Sequence, residues 1–169
     1  ISQPLASNKT APNRFKFQTF HDRISTISID SFTKLSGLHG LNPDQASGSW
    51  FLEAMEAWRE LNYTAAFQQA LDGLSPLAVS LPALLFHKEA IVAVLTGAVK
   101  EGVAKKGLVK PTANLLAMLV KDLGEELYCL FPLIFESTAK ALVDCADPED
   151  IEAAFSCMVY VLKAMQARV

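Results

Sequence analysis

Apolar residues recur at helical spacing through most of the chain after residue 48. Trp50, Phe51, Ala54, Met55, Trp58 and Leu61 form a first stripe, with Glu53, Glu56, Arg59 and Glu60 opposite, which predicts a helix over 49–61. Thr64, in a capping position, opens a short helix to Leu71, closed by Asp72-Gly73. A longer helical stretch is expected from Ser80 to Glu101. Pro82 suits its first turn, Leu84, Leu85, Ile91, Val94, Leu95, Ala98 and Val99 form its stripe, and His87-Lys88 marks a possible break. A basic linker over 102–110 precedes a helix over 111–127, striped by Leu115, Leu116, Leu119, Val120, Leu123 and Leu127. Its partner is expected over 128–145, with Pro132 near the start, where a missing N–H does no harm. Asp147-Pro148-Glu149-Asp150 is a strong helix start: a capping carboxylate, a proline for the first helical position, and acids that complement the helix dipole. Ile151, Phe155, Met158, Val159, Leu162 and Met165 make the last stripe.

Two of these helices open alike, at Pro111-Thr112 and Asp147-Pro148, 37 residues apart. A period near 40 with such a start predicts an all-α fold of antiparallel helical hairpins stacked as a HEAT-type α-solenoid. Apolar residues beyond one narrow face on two helices suit hairpins sandwiched by neighbours. The chain begins at Ile1, and its helical pattern continues to Val169 without a stop signal, so it reads as a piece of a longer protein. Two regions are expected: an extended basic-aromatic arm and loop over 1–42, and HEAT-like repeats over 43–169 that begin a longer solenoid.

Composition supports a packed core: 51 % of the 169 residues are hydrophobic and 20 % charged. The net charge of −3 argues against wholesale neutralisation of nucleic-acid phosphates, but it is unevenly spread. Residues 1–40 carry Lys9, Arg14, Lys16, Arg23 and Lys34 against Asp22 and Asp30, a balance of +3, ahead of an acidic body. No apolar run reaches the ~18 residues that span a bilayer, so no membrane partner is expected.

Candidate chemistry is sparse. Cys129, Cys145 and Cys157 make no CxxC pair and read as buried free thiols on helices. His21, His39 and His87 are isolated, and the glycines form no phosphate loop. Glu125-Glu126 and the acids over 147–152 read as solvated helix surface, and Lys105, Lys106 and Lys110 as a solvated linker. No catalytic residue, cofactor, metal ligand or small-molecule substrate is expected. The segment without an evident core role is the arm, where Arg14, Phe15, Lys16, Phe17, Phe20 and Arg23 interleave basic and aromatic side chains at a period near two. Stacking on single-stranded RNA is one reading. Docking on the protein's own helices or on a partner protein is preferred, because three phenyl rings are costly to leave in water.

The tract from Asn13 to Ile24 (NRFKFQTFHDRI), followed by Ile27-Ser28-Ile29-Asp30, resembles the N-terminal region of the "down-regulated in metastasis" (DRIM) or Utp-twenty family. Further segments follow in family order: Trp58 to Asn62 with Thr64 and Phe67, Phe86-His87 through Val92, and Asp122 through Pro132 to Ala154-Phe155. The resemblance covers most of residues 13–165 and departs over 34–49 and 103–110. It implies a non-catalytic HEAT-repeat scaffold of the nucleolar small-subunit processome, supporting pre-18S rRNA processing. Implied partners are other processome proteins and, within the particle, the U-three snoRNP and pre-rRNA; the implied location is the nucleus and nucleolus. A HEAT-repeat nuclear transport receptor or adaptor is the rival reading.

Overall fold

The computed structural model describes residues 19–21 and 48–166, and the regular structure among them is entirely helical. The elements are α1 (Trp50–Leu61), α2 (Ala65–Leu74), α3 (Leu81–Phe86), α4 (Lys88–Gly102), α5 (Val109–Leu123), a 3-10 segment (Gly124–Leu130), α6 (Phe131–Asp144) and α7 (Pro148–Gln166). Local chemistry sets several starts. Ser49 Oγ accepts from the Leu52 amide at 3.2 Å, Ser80 Oγ from the Ala83 amide at 3.3 Å, and Asp147 Oδ1 from the Glu149 amide at 2.9 Å. Gly124 ends α5 at φ 49°, a region that disfavours residues with a Cβ.

Several boundaries differ from the sequence expectation, for identifiable reasons. Asp72-Gly73 does not stop α2, which runs on to Leu74 because Leu71 and Leu74 are both buried. The break at His87 is real and separates α3 from α4. The linker contributes Val109 and Lys110 to α5, since Leu108 and Val109 are already in the core. The expected partner helix starts at Phe131 because residues 124–130 tighten into 3-10 turns, which keeps Leu127 buried. Thr64 occupies the N-cap of α2 but makes no side-chain capping bond; its hydroxyl donates to Asn62 Oδ1 at 2.8 Å.

The helices pack in two layers, α1, α5 and α7 in one and α2, α4 and α6 in the other. Pairs α4–α5 and α6–α7 join the layers as consecutive hairpins. The backbone amide of Lys110, near the start of α5, donates to Asp150 Oδ1 at 2.9 Å near the start of α7, while Tyr128 Oη, beyond the end of α5, reaches the Ala164 carbonyl at 3.0 Å near the end of α7. Helices α5 and α7 are therefore parallel. Helix α1 is reversed: Asp122 at the end of α5 meets the start of α1, and Trp58 late in α1 donates to Asn114 Oδ1 at 3.0 Å early in α5. Helix α5 lies between these neighbours and is the best-buried element. All six positions of its expected stripe, through Leu127, are fully buried.

The last stripe is a correction. Helix α7 buries Ala154, Cys157, Val161 and Ala164, not the larger residues expected to face the core. Phe155, Leu162 and Met165 are exposed and Ile151, Met158 and Val159 half-buried. Small side chains let α7 approach α5 and α6 closely, so the bulky apolar face is turned outward.

Candidate interaction surfaces

Of the arm residues singled out for partner binding, Arg14, Phe15, Lys16, Phe17 and Arg23 lie outside the described residues. Phe20 lies within them. It is helical and half-buried, and it packs against the hydrophobic core. Its neighbour His21 is exposed.

Buried polar groups in the body serve the architecture. Asp122 accepts from Ser49 Oγ at 2.7 Å and from the amides of Trp50 and Phe51 at 3.2 and 2.9 Å. It thus supplies a carboxylate to the N-terminus of α1 from a helix some seventy residues further along the chain. Lys121 Nζ sits 4.0 Å from the centre of the Trp50 ring in the same joint. Asp150 does for α5 what Asp122 does for α1. Burial raises its pKa, an effect partly opposed by the hydrogen bond from the Lys110 amide. The Lys110 side chain bonds Glu149 Oε2 at 2.7 Å, and that bond raises the lysine pKa.

The thiols are less uniform than expected. Only Cys157 is buried; Cys129 is exposed and Cys145 intermediate. Burial pushes the Cys157 pKa up to about 12, which leaves it unreactive at neutral pH. Cys145 is raised too, first by burial and then by Asp150, Asp144 and Asp147. His87 caps the α3–α4 break, its ring edge-on to Phe86 at 4.8 Å. Among the described residues no cluster of three or more His, Cys, Asp or Glu is placed to hold a metal ion, and no helix is long and apolar enough to cross a membrane.

Among the described residues, two surface grooves stand out. One, of about 540 Å³, runs between α1 and α7 over α5, with Trp58, Asn114, Met118 and Tyr160 inside and Lys110, Glu149 and Glu152 at its edge. The other, of about 700 Å³, is almost wholly apolar and lies between α6 and α7, lined by Tyr128, Phe131, Phe135, Leu162 and Met165 among others. Sequence reasoning missed both. The second was signalled by the very stripe assigned to the core.

The described residues thus form an all-helical layered body with buried carboxylates that serve the architecture and grooves on its surface. Comparison with known proteins adds a particular resemblance. The chain is 22 % identical over 161 residues, 95 % of its length, to U3 small nucleolar RNA-associated protein 20 of Schizosaccharomyces pombe. It is 25 % identical over 158 residues, 89 % of its length, to the protein of the same name from Saccharomyces cerevisiae. The chain is thus similar to a region of the Utp20 family, the family that residues 13–165 resemble. It spans about 6 % of the length of each of these relatives. No family model matches the chain.

Proposed function

We propose that this chain is part of a non-catalytic scaffold of the nucleolar small-subunit processome, supporting pre-18S rRNA processing and 40S subunit assembly. The observation that carries this reading is the similarity, over 95 % and 89 % of this chain, to short regions of two proteins named for association with the U3 small nucleolar RNA. The parallel stacking of α4–α5 and α6–α7 supports a HEAT-type solenoid as the architecture, since repeats of that kind contact mainly their neighbours and leave long outer surfaces. The reversed α1 caps one side of the stack in this reading. The arm residues Arg14, Phe15, Lys16, Phe17, Phe20 and Arg23 tether the body to neighbouring assembly proteins or pre-rRNA. Of these, Phe20 packs on the core of the body.

Affinity purification of the tagged native protein from nucleolar extract, followed by RNA analysis, tests the reading. Enrichment of U3 small nucleolar RNA and pre-18S precursors is expected, and their absence would overturn it. Replacing Phe15 and Phe17 with alanine should weaken co-sedimentation with the particle while leaving helicity unchanged. Co-sedimentation unaltered by both substitutions would remove the tether from the account.

A further inference from the structure

Helices α1 and α7 both pack on α5 and leave between them the groove of about 540 Å³. Asn114 and Met118, one turn apart on α5, form its floor; Trp58 stands in one wall, Ala153 and Tyr160 in the other. The Trp58 ring is fixed from two directions, by its N–H bond to Asn114 Oδ1 at 3.0 Å and by an edge contact with Phe67, ring centres 6.4 Å apart. One end of the groove is acidic. Glu149 and Glu152 edge it, and Asp147 is close enough to act on Lys110, the one ammonium among them. The pKa of that lysine is raised, first by its bond to Glu149 and then by the charges of all three acids. Three carboxylates against one ammonium leave that end two charges negative. An occupant that fits is aromatic toward the floor and cationic toward the rim.

The arm has that composition. At a period of two, Phe15 and Phe17 fall on one face of the segment and Arg14 and Lys16 on the other. The dimensions agree: Glu149 to Tyr160 is about 16 Å of helix, and the five residues 14–18 span about 16 Å when extended. Phe20, packed on the core, holds the arm's near end to the body. The segment therefore meets the surface at an effective concentration on the order of millimolar, an advantage that a separate basic peptide lacks. We infer that, in the protein outside its assembly, residues 14–18 occupy the α1–α7 groove, with Phe15 and Phe17 against Trp58 and Met118 and Lys16 reaching the carboxylate of Glu152. The seat covers rings that are costly to leave in water, and a partner that takes up the tether draws the arm out of it. That exchange rests on the tether reading; the seat itself does not.

A carbodiimide joins an amine to a carboxylate only where the two touch. Applied to the purified native protein, free of any assembly, it should join Lys16 to Glu152, read as a linked peptide pair by mass spectrometry. Lys110 and Glu149, in contact at 2.7 Å, supply an internal control. Phe15→Ser with Phe17→Ser keeps Lys16 and should cut the Lys16–Glu152 product about tenfold, with the Lys110–Glu149 product unchanged. Absence of the Lys16–Glu152 product where the control product forms would overturn the inference, leaving the groove bare or open to a separate basic peptide. A product that survives the serine substitutions at full yield would overturn it too, since charge alone would then hold the arm. So would a product formed only between two molecules, rising with protein concentration, which would assign the groove to a second copy. Each of these failures would leave U3 RNA enrichment untouched, so the seat and the processome reading fail separately.

Discussion

Asp122 shows how one side chain ties distant segments together. Its carboxylate answers three donors at the start of α1, two of them buried with it. Asp122→Ala leaves those donors without the carboxylate and should lower stability by about 2–3 kcal/mol, read from urea denaturation. Asp150 makes a different prediction. Its pKa is raised in the fold, so between its ordinary value of 3.8 and the raised value the native state holds more proton than the unfolded chain. Its contribution to stability therefore falls as pH rises through that window and levels off above it. Asp150→Asn keeps an oxygen for the Lys110 amide and removes the titration. Its stability relative to wild type should grow from pH 3.5 to about pH 6, a range bracketing the ordinary value, and a constant difference would contradict the assignment. Neither carboxylate's role was legible in the chain, because Ser49 and Lys110 lie 73 and 40 residues from their partners. Composition and spacing see an acid in a helix; only the fold decides which N-terminus it meets.

At the scale of elements, periodicity located most helices and misjudged one face. The stripe over 111–127 was readable because α5 is surrounded, so all six of its positions are buried. The stripe over 151–165 misled because α7 has two apolar sides, and the small one faces inward. Bulk is a poor guide where close approach of helices favours alanine and cysteine. The α4–α5 turn carries its own constraint. A Cβ on Gly102 would lie 2.7 Å from Val109 Cγ2 and 3.0 Å from the Val109 backbone nitrogen, whereas one on Gly97 meets nothing within 4 Å. Gly102→Ala should therefore cost about 1–3 kcal/mol, and Gly97→Ala should add about 0.5–1 kcal/mol by favouring helix. Thermal unfolding of the two variants, in opposite directions from wild type, checks the packing of that turn.

For the whole molecule, the all-helical class was visible in the sequence and the direction of α1 was not. Helices α5 and α7 are parallel members of successive hairpins, but α5 opens at Val109, two residues before Pro111, whereas α7 opens at Pro148. Helix α1 has a similar apolar stripe yet runs against α5, because Asp122 and Asn114 fix its two ends. The candidate contacts were only partly legible for a related reason: charge and aromatic content single out the arm, but a groove such as that between α6 and α7 exists only once neighbours are placed. The proposed scaffold role is tested most directly by crosslinking mass spectrometry of the native protein in its purified assembly. Crosslinks from Lys100, Lys105 and Lys163 to small-subunit processome proteins, together with arm contacts to protein or pre-rRNA, are the predicted result. Crosslinks confined to a transport cargo and a small GTPase, with no processome protein among them, would contradict the account.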